Sequence, residues 1–156
     1  METTRVLLVE DEPFVRSITA EVLRDAGFDV VEAANGDEAV VLLDTYNNFD
    51  VVCTDVQIPG TRDGIGVAAY ARTLCPAIPV LVVSAYAARL NDRLRTLVPA
   101  AKFIAKPYGS KQVVEALRTL TTLPVGAVSG DKVNPSGELP HDRTALELFV
   151  PSSTPA

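Results

Sequence analysis

Five residues carry the chemistry available to this chain: Glu10 and Asp11, Asp55, Ser84, and Lys106. Three are carboxylates, one is a hydroxyl and one is an ammonium. Each stands directly after, or at the end of, a short apolar run. Val6-Leu7-Leu8-Val9 leads into Glu10-Asp11, Val51-Val52-Cys53-Thr54 into Asp55, Val80-Leu81-Val82-Val83 into Ser84, and Ala101-Lys102-Phe103-Ile104-Ala105 into Lys106-Pro107. Carboxylates with an ammonium and a hydroxyl suit phosphate chemistry. Two like charges about 4 Å apart at an effective dielectric near 20 repel by about 4 kcal/mol, so three gathered carboxylates call for a cation. Magnesium fits, since it takes oxygen ligands and is commonly held by one or two carboxylates plus phosphate oxygens. Asp55 then has two possible roles, metal ligand or nucleophile toward phosphorus. Phosphoryl transfer needs positioning and charge neutralisation, which a metal, Lys106, the Ser84 hydroxyl and backbone N–H groups can share.

The elements that must position these residues follow from pattern. Short β-branched runs bounded by turn signals read as buried parallel strands. Asp29–Ala33 is a fifth such run. Between the runs lie helical stripes. The first has Val15, Ile18, Val22 and Ala26 behind Glu12-Pro13. The second has Ala39, Val40 and Leu43 after Asn35-Gly36, ending at Asn47-Asn48. The third spans about 65–74. The fourth has Leu90, Leu94 and Leu97. The last has Val113, Leu117 and Leu120 behind Ser110 as N-cap. Five strands alternating with five helices predict a doubly wound, flavodoxin-like α/β domain, with helices on both faces of a five-stranded parallel sheet. Ligand sites in such sheets lie beyond the carboxyl ends of the strands. The second strand is followed by Ala34-Asn35, with nothing ionic, which fits an edge and the order 2-1-3-4-5.

The domain is expected over residues 1–122. Beyond it, 123–156 is rich in Pro and Gly and reads as a mostly disordered tail, in which only Ala145–Val150 is apolar enough to dock. A net charge of −6 argues against a nucleic-acid backbone as direct partner. No apolar run approaches the roughly 20 residues that span a bilayer, and the cytosol is the expected compartment. Cys53 and Cys75 lack the spacing of a redox or zinc pair, and the lone His141, far along the chain in a Pro-rich region, argues against a histidine-based zinc site, a serine–histidine–acid triad or a phosphohistidine carrier.

These residues together resemble the receiver domain of two-component response regulators, over about residues 3–122, of the single-domain type. The resemblance rests on Val9-Glu10-Asp11-Glu12-Pro13, on Thr54-Asp55-Val56-Gln57-Ile58-Pro59-Gly60, on Ser84 and on Phe103 with Lys106-Pro107. It implies that Glu10, Asp11, Asp55 and the backbone carbonyl of Gln57 hold Mg2+. It implies that Asp55 is the phosphoacceptor, with Lys106 and Ser84 assisting, that Ser84 and Phe103 form the switch, and that the bond before Pro107 is cis. The donor would be a sensor histidine kinase or a histidine phosphotransfer protein. Phosphorylation would alter a protein-binding face made by the fourth helix, fifth strand and fifth helix. Two features depart from the family pattern. The acidic pair is Glu-Asp where Asp-Asp is common, and Pro59-Gly60-Thr61-Arg62-Asp63-Gly64 is one residue longer than the usual loop.

Three other readings compete. A receiver fold acting as a phosphorylation-independent interaction module would not need the full acid–Ser–Lys set. An aspartate-nucleophile phosphatase would want a second aspartate two residues beyond the nucleophile, where Gln57 stands and cannot supply a titrating proton. Nucleotide binding lacks a Gly-rich phosphate loop after the first strand.

Overall fold

Successive residues of a strand point to opposite faces, and here both faces are covered. On β1 (Arg5–Val9), Val6 and Leu8 pack on one side with Val51 and Cys53 of β3 (Val51–Asp55) and Leu81 and Val83 of β4 (Val80–Ser84). Leu7 and Val9 pack on the other side with Val52, Val80 and Val82. The first face is closed by α1 (Pro13–Asp25) and α5 (Ser110–Thr122), through Ala20, Leu23, Val113 and Leu117. The second is closed by α2 (Gly36–Thr45), α3 (Gly64–Leu74) and α4 (Asn91–Leu97), through Ala39, Leu43, Ile65, Ala68 and Leu94. With β2 (Asp29–Ala33) and β5 (Lys102–Ala105) at the edges, all pairings are parallel and the order is β2-β1-β3-β4-β5. These are coordinates of a computed structural model that describes residues 3–86 and 91–122. The expected doubly wound sheet and its strand order are what the chain forms. The tail reading, including Ala145–Val150, and Leu90 of the fourth stripe lie outside the described residues.

Caps set the helix starts nearest the site. The Glu12 carboxylate accepts from Phe14 N at 2.6 Å and Val15 N at 3.0 Å, with Pro13 where a missing N–H is harmless. Asn35 accepts from Glu38 N at 2.8 Å, while Glu38 reaches back to Ala34 N. Asp63 accepts from Gly66 N at 2.9 Å and starts α3.

Several helix details differ from the sequence expectation. The buried face of α1 is Thr19, Ala20 and Leu23, so the Val15–Val22–Ala26 stripe only flanks the core and Ile18 lies 42% exposed. Leu97 is likewise exposed while Leu94 is buried. Ser110 is already the first residue of α5. The carbonyl before it, on Gly109, accepts from Gln112 N and Val113 N, so Ser110 is not the cap. Helix α2 stops at Thr45 rather than at Asn47-Asn48. The Arg5 guanidinium lies over the Tyr46 and Phe49 rings, and its Nη1 donates to the Asn48 side chain, which draws 46–49 out along the start of β1.

Candidate functional site

Strand register places the site. Val9 pairs with Thr54, Asp55 with Val83, and Ser84 with Ala105. Each chain therefore leaves the sheet at nearly one level, delivering Glu10, Asp55, Ser84 and Lys106 to a common rim. The ladder runs one step further, with Glu10 N donating to Ala33 O, Val56 N to Val83 O and Lys106 N to Ser84 O. That extra step fixes the backbone from which each functional side chain projects.

At the rim, carboxylate oxygens of Glu10, Asp11 and Asp55 all lie within 4.8 Å of one another. Glu10 and Asp55 are buried, and Asp11 is exposed. Lys106 Nζ donates to Asp55 Oδ2 at 2.6 Å and reaches Glu10 Oε1 at 3.5 Å. Burial pushes the Glu10 carboxyl above its ordinary value, against the Glu12 N–H and Lys106. Burial pulls on the Lys106 ammonium in the opposite sense, but the Asp55 and Glu10 carboxylates outweigh it and hold Lys106 above its usual value. The ammonium balances part of the acidic charge, and an all-oxygen donor set of two buried carboxylates and one exposed one suits a hard divalent cation such as magnesium.

Of the other expected residues, Ser84 and Gln57 lie on the segments that border this centre and Phe103 lies apart from it. Ser84 is buried at the end of β4, where its Oγ accepts from Tyr86 N at 3.0 Å and keeps its own proton to donate. Gln57 is exposed, and its N–H donates to Asp55 Oδ1 at 3.3 Å. Phe103 is half-buried on β5 against the α2–α4 side of the core, away from the acidic cluster. The Lys106–Pro107 peptide is cis.

The longer loop after Asp55 is tied down at four points. Gly36 N donates to Pro59 O, and Asp37 Oδ1 accepts from both Thr61 N and Thr61 Oγ1. Gly60 turns at φ +117 against Asp37, a backbone that a side chain would strain. Gly64 N donates to Val56 O, and a Cβ on Gly64 would lie 1.8 Å from the Asp55 carbonyl oxygen. Only glycine lets the start of α3 pass this close beneath the acidic residue. Arg93 of α4 grips Asp63 with both terminal nitrogens. On the other flank, Arg16 of α1 donates to the Glu10 carbonyl at 2.9 Å while pairing with Glu32. Sequence reasoning missed these supports. Asp63-Gly64 before an apolar helix was a readable cap signal, whereas Arg16 and Arg93 meet their partners only through tertiary packing.

A parallel 2-1-3-4-5 sheet with a Lys-paired aspartate inside an acidic cluster defines a receiver-type signalling module. Residues 6–118 match the family model described as the response regulator receiver domain, and the chain belongs to that family. It is similar to the transcriptional regulatory protein PdtaR of Mycobacterium tuberculosis, with 36% identity over 72% of this chain and 54% of that protein. It is 41% identical to a cyclic di-GMP phosphodiesterase of Thermotoga maritima, over 72% of this chain and 31% of the relative. Thus the chain spans about half the length, or less, of these curated relatives. Among solved structures, a response regulator receiver protein of Sinorhizobium medicae aligns with a TM-score of 0.71 and 30% identity, covering 78% of this chain and 96% of that one. The non-phosphorylated HemR receiver domain of Leptospira biflexa aligns with a TM-score of 0.68 at the same identity and coverage. Receiver domains are phosphoacceptors in two-component signalling rather than ordinary turnover enzymes, and they interact with histidine kinases or phosphotransfer proteins. Among the described residues, no helix is long and apolar enough to cross a membrane.

Proposed function

We propose that this chain accepts a phosphoryl group on Asp55 from a histidine kinase or a histidine phosphotransfer protein, with Mg2+ bound, and that the modification alters a protein-binding face. The observation that carries the reading is the Lys106 Nζ to Asp55 Oδ2 contact of 2.6 Å inside a cluster of three carboxylates. Glu10, Asp11, Asp55 and the Gln57 carbonyl would hold the metal, which when bound neutralises charge on the transferred group. The Asp55 carboxylate attacks phosphorus, the phosphorus–nitrogen bond of a phosphohistidine breaks, and the imidazole nitrogen leaves with the electron pair. Lys106 holds the aspartate in place before attack and offers its charge to the phosphoryl oxygens afterwards. Ser84, whose own carbonyl accepts the Lys106 backbone N–H, presents a hydroxyl to the same space. A phosphoryl group that draws Ser84 and the Lys106 ammonium inward gives Phe103 a reason to move. The face of α4, β5 and α5 is then a two-state element, biased by new charge-assisted hydrogen bonds.

Acetyl phosphate with Mg2+ should add one phosphoryl group per chain by intact mass, and Asp55→Asn should abolish the adduct. No adduct on the unaltered chain, or an undiminished one in Asp55→Asn, would contradict the reading and favour the phosphorylation-independent interaction module. Sustained turnover of a small phosphomonoester would favour a phosphatase. Gln57, in place of a second aspartate, argues against that outcome.

A further inference from the structure

Apart from the acidic rim, the described residues form an apolar groove of about 490 Å³ between α1 and α5. Its walls are Phe14, Ile18 and Val22 on one side and Pro107, Tyr108 and Val113 on the other. Phe14 is 70% exposed and Ile18 42% exposed, an unusual pair to leave in water on a helix whose core face lies elsewhere. Nothing in the proposed phosphoryl chemistry uses either side chain.

Outside the described residues the sequence holds an apolar segment, Ala145-Leu146-Glu147-Leu148-Phe149-Val150, set between Pro140 and Pro151. We propose that this segment of the same chain is the occupant of the α1–α5 groove. Three observations support the match. The first is composition, since Leu146, Leu148, Phe149 and Val150 are apolar like most of the groove lining, in which Thr19, Lys106 and Ser110 are the exceptions. The second is charge. The ionisable group within the segment is Glu147, and the end of the groove at Ser110 adjoins Lys111, which forms no ion pair among the described residues. The third is reach. The last described residue, Thr122, is nine residues along α5 from Val113, about 14 Å at 1.5 Å per residue. The 22 residues 123–144 need only bridge that return, and by length alone they can span up to about 70 Å at about 3.3 Å per residue. Tethering at that distance gives an effective concentration of order millimolar, enough for a weak apolar contact to be populated. Lys106 and Pro107 belong to the groove wall, so the segment would lie at the lip of the Asp55 pocket. The proposal does not depend on whether Asp55 is phosphorylated.

The test uses the full chain with Cys75→Ser and a nitroxide attached at Ser152→Cys. Cys53 stays inert, because burial pushes its thiol up to about 12. Amide signals of Phe14, Ile18 and Tyr108 should lose about half their intensity or more relative to the reduced label, as expected for a tethered segment at millimolar effective concentration. Signals of Val41 and Leu74, on the opposite face of the sheet, should not. Adding Leu148→Asp with Phe149→Asp should restore the groove signals, and Ile18→Asp should do the same from the groove side. Several results would overturn the proposal: no broadening, uniform broadening over the domain, or broadening that persists in these variants. So would quenching that passes from spin-labelled to isotope-labelled chains in a mixture, which would make a second copy the occupant.

Discussion

Lys106 stands between two buried carboxylates, and its loss would leave them facing each other without a counter-charge. Lys106→Gln should lower the unfolding free energy at pH 7 by about 2 kcal/mol, a reduced value because the ammonium is partly solvated. Urea unfolding checks this, and an unchanged midpoint would show that the pair contributes nothing net. Asp63 offers a pH-dependent counterpart. Burial pushes its carboxyl up, but hydrogen bonds from Arg93 and the Gly66 N–H outweigh burial and hold it below its ordinary 3.8. A depressed carboxyl contributes stability that is present above the unfolded value and is lost as pH falls through the folded one. Asp63→Asn should therefore be less stable by about 1 kcal/mol at pH 7, with the gap to the unaltered chain closing as pH falls below the ordinary carboxylate range. A gap that stays constant across that range would place the effect elsewhere. At this scale the sequence was most informative: Glu10, Asp11, Asp55, Ser84 and Lys106 each follow an apolar run, and all five reach one rim. Arg16 and Arg93 were not legible, because an arginine on an exposed helix face gives no sign of which distant carbonyl or carboxylate it will meet.

At the scale of elements, the approach of α3 to Asp55 is the tightest constraint. Gly64→Ala would drive a methyl to 1.8 Å from the Asp55 carbonyl oxygen, so the strand end or the helix start must shift. We expect a loss of about 2–4 kcal/mol and a displaced Asp55. Thermal unfolding measures the first. Slower labelling by acetyl phosphate measures the second, and a fully stable, normally labelled variant would contradict the contact. Truncating a core residue remote from the rim separates stability from chemistry. Leu117→Ala should cost about 2–5 kcal/mol while leaving the labelling rate of the folded fraction unchanged. The elements themselves were readable because strand runs and glycine or proline punctuation agree along the whole chain. The faces of the flanking helices were less so. On α1 an apolar stripe through Ile18 pointed one step away from the true core face, where Thr19 is buried because its hydroxyl meets Tyr108 OH at 3.3 Å. A stripe reading discounts threonine and overcounts isoleucine. The end of α2 was missed for a similar reason, since the pull of Arg5 on Tyr46, Asn48 and Phe49 acts across the fold.

For the whole molecule, family membership fixes the class of chemistry, while the chain's own residues must carry its particular switch. The reading predicts that beryllofluoride with Mg2+ slows or quickens amide exchange within 101–122, where Phe103 and α5 lie, relative to Mg2+ alone. Unchanged exchange there would leave a receiver fold without a phosphate-driven face. The central claim, however, is that separate segments converge so that Asp55, and not its acidic neighbours, takes the phosphoryl group. The most direct measurement is site-resolved: label the chain with acetyl phosphate, reduce the acyl phosphate with borohydride, and map the modified residue by peptide mass spectrometry. The account predicts modification at position 55 alone, dependent on Mg2+ and lost on chelation. Modification at Glu10 or Asp11, or labelling indifferent to the metal, would contradict it.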